Sequence, residues 1–65
     1  MTQNEVKLIV DRQNDVIRIK VNGEEPVSPY TFNEVTKQQV LQEARAQAFI
    51  QACQFPDCYV SENWF

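Results

Sequence analysis

The stretch TKQQVLQEARAQAFIQACQ, residues 36–54, decides how the chain is read. It reads as one helix, because no Gly or Pro falls between Thr36 and Phe55. Its start is marked three ways. Thr36 stands where a hydroxyl accepts from a free backbone N–H of the first turn. Gln39, three residues on, completes a capping box. Val35 and Val40 fit a hydrophobic staple across the cap. A competing start at Thr31, with Glu34 as its box partner, lacks the staple. Pro56 marks the stop, since a proline disfavours helical geometry in the residue before it.

At about 100° per residue, Val40, Leu41, Ala44, Ala48 and Ala52 fall in one sector of this helix. Ala46, Phe49, Ile50 and Cys53 fall largely on the far side. Glu43, Gln47 and Gln54 fill the gap between them. The first sector, alanine-rich at four-residue spacing, permits close backbone approach. One small sheet cannot bury both sectors. Either the C-terminal residues cover the second one within the protomer, or it meets another chain.

Outward from the helix, Glu5 to Asp11 alternates, with Val6, Leu8 and Val10 on one face. Arg12-Gln13-Asn14-Asp15 has turn chemistry. Val16 to Val21 is the second strand, with Ile17, Ile19 and Val21 on its apolar face. Asn22-Gly23 is a hairpin signal, because both central residues of a type I′ turn need φ > 0. It implies a third extended segment, roughly Glu24 to Phe32. Pro26 and Pro29 cannot donate ladder hydrogen bonds, so this segment is an edge strand or an irregular arm. Pro26-Val27-Ser28-Pro29 also matches P-x-x-P, but a proline-protected edge explains it better. After the helix, Cys58-Tyr59-Val60 favours a last short strand, and Ser61 to Phe65 reads as a tail. The expected fold is a single α+β domain spanning residues 1–65. A small antiparallel sheet, made of the hairpin, the edge segment and a short C-terminal strand, packs against one helix in the order β-β-(β)-α-β.

Size bounds the rest. Below about 70–80 residues a single core rarely supplies more than about 3–5 kcal/mol. Two cysteines allow one disulfide at most, and there is no histidine, which leaves oligomerisation as the common stabiliser. The N-terminus, Met1 to Glu5, has no basic region or long apolar stretch of a secretory leader. No apolar run is long enough to span a membrane. A cytoplasmic location follows as the expectation, and the size and style suggest a bacterial or phage protein.

Net charge is −3. Residues 1–20 carry Lys7, Arg12, Arg18 and Lys20 against Glu5, Asp11 and Asp15, a balance of +1. Residues 21–65 carry Lys37 and Arg45 against Glu24, Glu25, Glu34, Glu43, Asp57 and Glu62, a balance of −4. That is not the concentrated basic footprint of a protein that binds nucleic acid directly.

Catalytic chemistry lacks parts. Without histidine there is no ordinary Ser-His or Cys-His pair. With a single glycine there is no phosphate-cradling loop. No catalytic, metal or cofactor residue is assigned. Cys53 and Cys58, four residues between them, read as incidental thiols before a redox pair or half of a shared metal site. Cys53 sits at the helix end whose dipole disfavours a thiolate. Trp64 and Phe65 either pack beside the helix, in cis or across to a second protomer, or anchor a partner.

Together these readings point to a small non-enzymatic protein that works by binding, as a homodimer or with an unidentified protein partner. Its expected interface is Phe49, Ile50, Cys53, Trp64 and Phe65. Two alternatives stand beside it. One is an acidic inhibitor of a nucleic-acid-handling protein, using a contiguous surface of Glu24, Glu25, Glu34 and Glu43. The other is a thiol switch built on Cys53 and Cys58.

Overall fold

Period-two alternation in the first twenty residues builds the floor of the molecule. In the computed structural model, which describes residues 3–65, β1 (Asn4–Asp11) and β2 (Val16–Val21) form an antiparallel hairpin. Val6, Leu8 and Val10 pair with Val21, Ile19 and Ile17, so six buried aliphatic side chains share one face. Met1 and Thr2, part of the stretch read for a leader, lie outside the described residues. The β1–β2 turn is held by Asp11, whose carboxylate accepts from the backbone N–H of Gln13 and Asn14. Asp15 closes that turn at φ 55°.

The Asn22-Gly23 signal is realised. Both residues have positive φ, 52° and 87°, and Val21 and Glu24 exchange backbone hydrogen bonds at 2.7 and 3.0 Å. The segment that follows is mostly an irregular arm. Only β3 (Tyr30–Thr31) pairs, antiparallel to the outer edge of β2. Pro26 and Pro29 precede this short contact and keep the arm from forming a longer ladder.

The helix α1 (Lys37–Ala52) lies across the apolar face and buries Leu41, Ala44 and Ala48 against it, with Val40 and Ala52 half-buried beside them. The alanine-rich sector is therefore the core side. Three expectations about its ends need correction. Thr36 is the N-cap residue but makes no side-chain cap bond. Its hydroxyl donates instead to Asn33 Oδ1 at 3.2 Å, and that same oxygen accepts the N–H of Val35 and of Thr36. Asn33 thus organises the turn before the helix, and the Thr36–Gln39 capping box does not form. Nor does the staple: Val35 is 91% exposed. The helix ends at Ala52, two residues short of Gln54, with Cys53 N–H bonded to Phe49.

β4 (Cys58–Trp64) is longer than the sequence suggests. It pairs in parallel with β1, from Asn4↔Cys58 to Val10↔Trp64. The sheet is thus mixed, not purely antiparallel, in the order β3-β2-β1-β4. A parallel neighbour needs a crossover connection, and α1 supplies it. The architecture is a two-layer α+β domain with one helix on a four-stranded sheet. No helix among the described residues is long and apolar enough to cross a membrane.

Candidate functional site: the β4 edge and the helix side above it

Two contacts fix how the helix stands over β4. Lys37, at the helix start, places Nζ 5.6 Å from the centre of the Trp64 ring near the strand end. Arg45, two turns on, forms a bidentate pair with Glu62, both N···O distances 2.8 Å. The helix therefore runs antiparallel to β4, and Arg45 marks its β4 side. Phe49 follows Arg45 by one turn on that side and Cys53 follows Phe49 by another. Ile50 is turned about 100° away from Phe49.

Every residue of the expected interface is at the surface. Phe49 is 66% exposed, Ile50 53%, Trp64 39% and Phe65 68%, and Cys53 is exposed too. They do not form one cluster. Phe49 and Cys53 lie towards the start of β4, Trp64 and Phe65 lie at its end, and Ile50 points elsewhere. What links the two groups is β4, which the sequence places only over Cys58-Tyr59-Val60 and which in fact continues to Trp64. Val60 shares the helix-facing side of the sheet with its partner Val6, yet it is 46% exposed, since the fully buried core is built from β1, β2 and α1 and takes no side chain of β4. Tyr59 lies on the open face, its hydroxyl donating to Glu5 at 2.6 Å, and this bond raises the phenol pKa above its ordinary value.

The presumed tail is part of the ladder. Phe65 N–H donates to Val10 at 2.9 Å and its carbonyl accepts from Arg12 N–H at 3.1 Å. Trp64 does not tuck under the helix. Its ring is bracketed by Arg12, 5.8 Å from the centroid, and by Lys37, while its indole N–H donates to Glu62 at 2.7 Å. Cation–π contacts and the Glu62 bond orient the tryptophan without burying it.

Glu62 joins these parts. The Arg45 guanidinium, and after it the Trp64 indole, hold its carboxyl at about 2 against an ordinary 4.5. A depressed carboxylate pKa contributes stability that is complete above the ordinary value and lost as pH falls through the folded one. The clamp is half-exposed, so its contribution is small. In acid titration followed by circular dichroism, Glu62→Gln should lose less stability than wild type between pH 4.5 and 2. Parallel curves would show that the clamp does not act in folding.

Elsewhere the surface offers open, polar depressions. One of about 500 Å³ is lined by Gln3, Asn4, Glu5 and Asn22. Another of about 330 Å³ is lined by residues that include Arg12, Glu34 and Lys37. Cys53 and Cys58 are both free thiols, and Cys58 is half-buried. No group of three or more potential metal ligands occurs among the described residues. The four carboxylates of the acidic reading are spread over the arm after Gly23, the turn before the helix and the helix itself, and Glu25 is held by Arg18 at 3.3 Å. Comparison with protein-family models, curated proteins and solved structures finds no match.

Proposed function

We propose that this protein acts by holding another polypeptide along the β4 edge, and not by turning over a substrate. One observation carries the reading: the two edges of the sheet are treated differently. The β3 edge is two residues long and follows an arm with two prolines, the usual ways of blunting a sheet edge. The β4 edge is seven residues long, with no lysine and no proline. Its only ionised side chain, Glu62, is already paired with Arg45. Exposed Phe49, Val60, Trp64 and Phe65 flank it. An open edge with apolar flanks is the surface that strand addition uses. Ile50 stays outside this surface. A reducing compartment such as the cytoplasm suits the two free thiols. The acidic-inhibitor reading has less support, because Glu25 is engaged by Arg18 and the other three carboxylates come from separate segments.

A photo-crosslinking residue at Phe49, in the native host, tests the proposal. A covalent protein adduct should form from Phe49 and not from Glu43, which is turned about 120° from Phe49 around the helix, away from β4. No adduct at Phe49, or equal adducts at both positions, would contradict the reading.

A further inference from the structure

We infer that the polypeptide received by the β4 edge is a second copy of this chain, paired antiparallel about a two-fold axis at Ser61. The inference rests on the binding role proposed above and names its partner.

The direction of the free backbone groups sets the geometry. Phe65 directs both its N–H and its C=O at β1. Along a strand, successive residues turn these groups to opposite sides, so Asn63, Ser61 and Tyr59 also face β1. Cys58, Val60, Glu62 and Trp64 therefore direct theirs outward, away from the sheet. Their side chains share the helix-facing side with Val6, Leu8 and Val10.

A closed pair of identical chains needs the same patch on both partners, related by a two-fold axis, and antiparallel strands satisfy this. An axis at Ser61 sets Val60 opposite Glu62 of the second copy and Cys58 opposite Trp64 of the second copy. All four outward residues then find a partner. An axis at Val60 leaves Trp64 unpaired. An axis at Glu62 leaves Cys58 unpaired and sets two carboxylates face to face, which is destabilising. A slip of one residue points outward groups at inward ones and turns every side chain to the wrong face. Only one register uses the whole edge.

The area agrees. At the exposures found, Phe49, Tyr59, Val60, Trp64 and Phe65 present about 500 Å² of apolar side chain per protomer. If all of it is covered, two protomers reach about 1,000 Å², the lower limit for a specific interface and the size of a weak, concentration-dependent pair. The product is a continuous eight-stranded sheet with both helices on one side, and it removes the one unguarded edge.

Sedimentation equilibrium on the full chain at micromolar concentration should give twice the 7.6 kDa chain mass. Val60→Pro removes an outward N–H that makes no bond to β1 and should yield a folded monomer. Val60→Glu, at an already exposed site, sets a carboxylate opposite Glu62 of the second copy and should weaken association about tenfold or more. Circular dichroism on both variants checks that the fold is retained, and Val60→Glu carries the test if Val60→Pro unfolds. A wild-type monomer, or a dimer that Val60→Glu leaves unchanged, overturns the self-pairing. A monomer whose Phe49 crosslinks to a different protein removes the self-pairing alone and leaves the binding role standing.

Discussion

Leu8→Ala should leave this chain largely unfolded at room temperature. Leu8 lies at the middle of β1, the strand flanked by β2 and β4, and is 1% exposed beneath the helix. Truncating a buried leucine to alanine costs about 2–5 kcal/mol, from lost transfer energy and from the cavity left behind. A core of this size rarely supplies more than about 3–5 kcal/mol in total. The loss is therefore of the same size as the whole stability. Far-UV circular dichroism and urea titration would show it as a lost or strongly shifted transition. Val35→Ala, at a side chain that touches almost nothing, should stay within about 0.5 kcal/mol of wild type. If Leu8→Ala unfolds at the wild-type midpoint, the core is not where the burial pattern puts it.

Ala44→Leu should be the second most damaging change, and for the opposite reason. Ala44 is fully buried where the helix meets the sheet, with Ala48 one turn on. Small side chains there let the helix backbone settle close to Val6, Leu8, Ile17 and Ile19. An isobutyl group has nowhere to go, and overpacking costs typically about 1–3 kcal/mol. The same substitution at Ala46, exposed on the outer side of the helix, should be close to neutral, since leucine is nearly as good a helix former as alanine. Thermal melts of the two variants separate the cases. Equal melting temperatures would mean that the alanine face does not set the distance between the layers.

The parts legible in the sequence are those fixed by periodicity and by a single turn. Alternation in Val6-Leu8-Val10 and Ile17-Ile19-Val21 places the hairpin and its buried face, and Asn22-Gly23 places the next turn. The angular spacing of Leu41, Ala44 and Ala48 separates the buried side of the helix from Phe49 and Ile50. Local signals failed where a neighbour competed for the same hydrogen bonds. Asn33 captured both the Thr36 hydroxyl and the Thr36 N–H that the Gln39 side chain would take in a capping box. Val35, which the staple needed, points into solvent.

The length of β4 was the larger miss, since only Cys58-Tyr59-Val60 read as a strand. Ser61, Glu62 and Asn63 have no strong preference for a strand, and so they read as a tail. Tertiary partners override that preference: β1 supplies a parallel ladder, Arg45 takes the Glu62 charge, and Trp64 is set between Arg12 and Lys37. The positive φ of Asp57, 50°, sits at the last residue of the five-residue turn between the helix end and this strand. The unguarded edge is a property of the assembled sheet. The absence of lysine and proline from residues 58–64 is its only trace in the sequence.

Amide hydrogen exchange along β4, residue by residue, tests the occupied edge most directly. In the pure protein at concentrations that favour association, the N–H groups of Val60, Glu62 and Trp64 should be protected as well as those of Tyr59, Ser61 and Asn63, and should lose that protection on dilution. Fast exchange at Val60, Glu62 and Trp64 at every concentration, with protection confined to the alternate residues bonded to β1, would show that no second strand docks there.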